Sequence, residues 1–104
     1  ARNHRKFDST AYPPRAVRGV YSIGDAEAEI IEAKVLSTSP IAGQKICDID
    51  FPEGVLVGGV LKSGVMIKPV GTTRIEEGDV VALFSLAKDI TEVERLLQVS
   101  IDFF

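Results

Sequence analysis

Chemistry needs particular side chains at particular spacings, and few stretches of this sequence offer them. Glu27, Glu29 and Glu32 are three carboxylates within six positions, enough in number for a hard cation. On a strand, however, Glu27 and Glu29 share one face and Glu32 the other, so a solvated strand face is expected. Glu76-Glu77-Gly78-Asp79 has the acids of a calcium loop without its alternating ligands or terminal Glu, and reads as a turn. Gly58-Gly59 lacks the glycine fingerprint of a phosphate loop; glycines inside a strand mark a bulge or a close approach. The single cysteine, Cys47, is expected to be a small buried or half-buried filler. The single histidine, His4, lies in a polar lead-in. No nucleophile stands in a catalytic context, no metal-ligand spacing is present, and an enzyme is not expected.

The elements that would position any site are clearer. Gly24–Leu36 reads as a strand whose alternation changes phase at Ile30-Ile31. Ala28 and Ile30 lie on one face, and Ile31, Ala33 and Val35 on the other. Either a bulge shifts the register there, or the strand is buried on opposite faces along its two halves. Ser39-Pro40-Ile41-Ala42-Gly43 is a turn into a short helix, roughly 44–49, with Ile46 and Ile49 on one side. Phe51–Gly54 is a turn, Val55–Lys62 a strand apolar on both faces, and Lys62-Ser63-Gly64-Val65 a tight hairpin. The return strand closes at Pro69. A loop at 70–74 and a turn at 74–79 lead to Val80–Leu86, a strand buried on both faces. The final helix has Asp89 as N-cap, Glu92 as capping-box partner, and Ile90, Val93, Leu96 and Leu97 along one stripe.

This order gives an α+β domain: a small, mostly antiparallel sheet with two short helices. Two helices cover only one face of such a sheet, whereas two strands look apolar on both. A homodimer, formed through sheet or helix faces, is therefore expected. A charge at Ile31 or Val57 should disrupt the dimer or the fold. Phe103 and Phe104 should cover the core or meet a neighbour.

Composition sets the outer limits. The 104 residues carry a net charge of −3, are 45% hydrophobic and 26% charged, and suit one ordinary globular domain. That charge argues against a nucleic-acid partner, although Arg2, Arg5, Lys6, Arg15 and Arg18 gather at the front as a solvated lead-in. Residues 1–24, with Tyr12-Pro13-Pro14, read as a linker or the end of a preceding domain, with Val17–Ile23 able to form one short strand. Residues 25–104 form the domain proper. No run is long enough to span a membrane, one cysteine suits a reducing compartment, and a cytoplasmic location follows as the expectation.

Several stretches in order carry a resemblance: Gly24–Glu32, the Ser39-Pro40-Ile41-Ala42-Gly43-Gln44-Lys45-Ile46 turn, Asp50–Val60, Pro69, and Ile75 followed by Gly78-Asp79-Val80-Val81. The sequence resembles the C-terminal lobe of the potassium-conductance regulatory proteins, most nearly that of the Trk-type potassium uptake regulatory subunit. The resemblance implies a regulatory domain that dimerises at the inner face of the cell membrane and controls a membrane potassium transporter subunit. NAD or ATP would belong to a Rossmann lobe absent from this chain, leaving no cofactor here. It also implies an alternative: a sensing domain for a cyclic dinucleotide or other nucleotide, attached to a different transporter or regulator. Only Lys68 and Pro69 match the dimer cleft where such an effector would bind, with Lys68 offering a point charge to a phosphate.

Overall fold

The computed structural model describes residues 16–101. His4, the basic lead-in through Arg15, and Phe103 and Phe104 lie outside the described residues. The main sheet has five antiparallel strands in the order β1 (Val17–Ile23), β2 (Ala28–Lys34), β7 (Val80–Leu86), β4 (Val55–Lys62) and β5 (Val65–Ile67). A two-stranded ribbon pairs β3 (Gln44–Lys45) with β6 (Arg74–Ile75). Among the described residues there is one α-helix, α1 (Ile90–Leu97), which follows β7 through a 3-10 turn.

One face of the sheet holds the core. Ile31 and Ala33 of β2, Val81 and Leu83 of β7, and Val55 and Val60 of β4 are buried against Ile90, Val93, Leu96 and Leu97 of α1. The helical stripe expected from the sequence is thus the packed one. β7, with no charged side chain, is the central strand, as its composition requires. The Lys62–Val65 hairpin forms with Ser63 and Gly64 both at positive φ, 50° and 81°, the twist that suits a two-residue connection. The register of β4 against β7 slips between Val57 and Gly59, so the Gly58-Gly59 pair is the expected bulge.

Other expectations are corrected. β2 runs against β7 without a slip, so no bulge occurs at Ile30-Ile31. The odd-numbered side chains of β2, Glu29 included, point into the core, whereas Ile30 points out and is 36% exposed. Glu29 is therefore buried rather than part of a solvated face. Ile31 and Val57 both belong to the core side, so they report on the fold and not on the opposite face. The helix expected over 44–49 is a two-residue strand followed by a 3-10 turn at Ile46–Asp48, because Lys45 pairs with Arg74 instead of winding. That turn leaves Cys47 exposed, correcting its expected burial. The capping box is not made. Asp89 stands at the N-cap without a side-chain cap bond, since its φ −103°, ψ 4° backbone arrives from the 3-10 turn and not from an extended strand. Glu92 instead pairs with Arg95.

Candidate functional site

Because paired residues in neighbouring strands point to the same side, the register assigns the uncovered face of the sheet row by row. Tyr21 pairs with Ile30, Ile30 with Phe84, and Phe84 with Leu56, giving a ridge of four large apolar side chains across four strands. Ile23, Ala28 and Leu86 form the row on one side of it. On the other side Gly19, Glu32, Ala82 and Gly59 form a row of mostly small residues. Beyond that trough a second ridge runs through Lys34, Val80, Leu61 and Met66. Tyr21 is 56% exposed, Leu56 65% and Met66 63%. A Cβ on Gly19 would overlap the Tyr21 ring and one on Gly59 would lie 3.0 Å from Met66 Sδ, so both glycines admit a large neighbour over the trough's ends.

A polar latch ties the β4–β5 hairpin to the turn before β7. Lys62 Nζ donates to Asp79 Oδ2 at 2.5 Å and to Glu76 Oε1 at 3.2 Å. The Glu76 backbone N–H also donates to Asp79 Oδ2, at 2.9 Å. Partial burial works against the charged Lys62, yet hydrogen bonds and charge from Asp79 and Glu76 outweigh it and hold its pKa above the usual lysine value. The Glu76–Asp79 turn is thus a structural clasp, not a cation loop. Among the described residues no group of three His, Cys, Asp or Glu side chains is placed to hold a metal.

Lys68 and Pro69 follow directly on β5, the edge strand next to Met66; Lys68 is exposed and Pro69 half-buried. An open cleft of about 610 Å³ lies elsewhere, between Ala16, Lys34–Thr38 and the Glu77-Gly78 turn, and includes neither residue. The ridges were not visible in the sequence as a site. Their signal is the cross-strand register, which a sequence read strand by strand does not contain. The Lys62–Asp79 pair spans seventeen positions and had no local signal.

A family model described as the TrkA-C domain matches residues 30–98, well over half of the sequence. This chain belongs to the TrkA-C domain family. It is 46% identical over 88 residues to the Trk system potassium uptake protein TrkA of Azorhizobium caulinodans, covering 85% of this chain and 19% of that protein. It is 37% identical over 89 residues to the TrkA protein of Halomonas elongata, covering 82% and 20%. The TrkA-C chain thus spans about a fifth of the length of these curated relatives. Among solved structures, it resembles the GsuK RCK domain with a TM-score of 0.63 at 22% identity, covering 89% of this chain and 20% of that one. It also resembles an RCK domain solved with cda, with a TM-score of 0.57 at 16% identity, covering 65% and 96%. At those identities the likeness concerns the fold, and it agrees with the expected α+β TrkA-C architecture. Among the described residues no helix is long and apolar enough to cross a membrane.

Proposed function

We propose that this TrkA-C domain is the regulatory lobe of a Trk-type potassium uptake system, working as a pair to control a membrane potassium transporter subunit from the cytoplasmic side. The observation that carries this is the match of residues 30–98 to the TrkA-C model, joined with 46% identity to a protein named for potassium uptake. The architecture suits control by contact: a packed core on one face and exposed apolar side chains, Tyr21, Ile30 and Leu56 among them, on the other. A small effector would act at the end of β5, where Lys68 can meet an anionic group beside Pro69. Any such effector shifts uptake only through different affinities for two states of the pair.

Uptake measured in cells tests this. In an Azorhizobium strain lacking its own TrkA, a chimera carrying this chain in place of the matching segment should restore potassium uptake. A TrkA protein truncated of that segment should not. Equal uptake with the chimera and the truncated protein would overturn the proposal.

A further inference from the structure

The open cleft at the end of β2 is lined by opposite charges that do not meet. The Lys34–Thr38 segment gives one side, with the Lys34 ammonium and the Ser37 and Thr38 hydroxyls, and the Glu77-Gly78 turn gives the other. Lys34 and Glu77 are both exposed, and no ion pair among the described residues engages either. Val35, buried, and Leu36, half-buried, add an apolar lining. The volume of about 610 Å³ lies within the range of roughly 300–1,000 Å³ that small-molecule sites occupy.

Backbone hydrogen bonds hold this lining in place. The Lys34 N–H donates to the Ala16 carbonyl at 2.8 Å and the Val35 N–H to the Asp79 carbonyl at 2.8 Å. The Gly78 N–H donates back to the Val35 carbonyl at 2.9 Å, and the Ser39 N–H closes the next turn on the Leu36 carbonyl at 3.0 Å. Both sides are therefore fixed before a ligand arrives, which lowers the ordering cost of binding.

The groups present select a ligand. Lysine is a compact point charge, and with two hydroxyls beside it suits one carboxylate. Glu77 suits an ammonium. Opposite charges across a partly enclosed space favour a molecule carrying both signs over one carrying either alone. Among the described lining residues there is one cation and no aromatic ring, so a polyphosphate would lack neutralising charge and a nucleobase a ring to stack on.

We propose that this cleft binds a small zwitterion of amino-acid to dipeptide size, its carboxylate on Lys34, Ser37 and Thr38 and its ammonium on Glu77. The aliphatic part of the ligand lies on Val35 and Leu36. Glu77 sits in the turn whose Glu76 and Asp79 clasp Lys62, so an occupant also braces the attachment of the β4–β5 hairpin. This site goes beyond the regulatory role proposed above and does not depend on which transporter the lobe serves.

The test is a nitrogen–proton NMR titration of the purified chain with leucine, with the dipeptide glycylleucine, and with N-acetyl-leucine amide, which keeps the side chain and lacks both charges. Leucine or glycylleucine at millimolar concentration should shift the amides of Leu36, Ser37, Thr38, Glu77 and Gly78 saturably, and the blocked compound should not. Lys34→Met and Glu77→Gln, each checked for unchanged melting, should each weaken binding by roughly tenfold or more. The proposal is overturned if neither zwitterion gives a saturable shift at these amides, if the blocked compound binds equally, or if both variants bind as the wild type does. Inorganic phosphate shifting the same amides as strongly would make the cleft a plain anion site and overturn it too.

Discussion

At the scale of single residues, two polar contacts do more than their exposure suggests. Ser39 Oγ donates to the Leu96 carbonyl at 2.6 Å inside the core, accepting in turn from the Ile41 N–H at 3.3 Å. This hydroxyl satisfies one of the carbonyls left open at the end of α1 and ties the Ser39-Pro40-Ile41 turn to it. Ser39→Ala should cost about 1–3 kcal/mol, because a buried carbonyl loses its partner; urea unfolding measures it. Lys62 sets a pH dependence. Its folded pKa is raised, so its contribution is complete below the unfolded value of 10.5 and fades as pH rises through the higher folded value. Wild type should therefore lose melting temperature faster than Lys62→Met between about pH 9.5 and 11.5, a window placed around the ordinary lysine pKa. Parallel curves would remove the latch from the account. Ser39-Pro40 was legible as a turn, but its partner lies 57 residues away and no local pattern names it. The burial of Glu29 was equally hidden, since a carboxylate in an alternating strand defaults to the wet face.

At the scale of elements, β2 shows how far periodicity reaches. The sequence placed the strand and separated Ile30 from Ile31; only the sheet says which side is covered. Ile31 is fully buried, so Ile31→Glu should unfold the domain or cost more than about 4 kcal/mol. Ile30→Glu, one residue earlier, should cost less than about 1 kcal/mol to the isolated fold. Thermal melting of the two variants side by side decides it, and equal losses would place the core wrongly. The short ribbon of β3 and β6 escaped detection because two residues are too few for a period to register. The hairpin at Ser63-Gly64 and the bulge at Gly58-Gly59 were legible because glycine marks backbone that other residues avoid. The start of α1 went the other way: Asp89 and Glu92 have capping-box spacing, but the preceding 3-10 turn denies Asp89 the extended backbone that such a cap uses.

At the scale of the whole molecule, among the described residues one helix and the connecting loops cover one side of a five-stranded sheet, and the other side is largely apolar. The domain has a radius of gyration of 12.7 Å, that of a chain this short folded around a single core, so the second face has no core of its own to join. Composition foretold this imbalance, since β4 and β7 carry too many apolar residues for one face. It did not show the ridge and trough, which arise only when four strands come into register. The membership in the TrkA-C family is the context for that surface, and under the function proposed above its contacts would carry regulation. The most direct measurement is potassium uptake by cells carrying a full-length TrkA chimera with this lobe, compared with its Leu56→Lys variant at matched protein levels. The account predicts normal uptake for the intact lobe and a marked loss for the variant, with the protein still folded. Equal uptake by both would contradict control through this face.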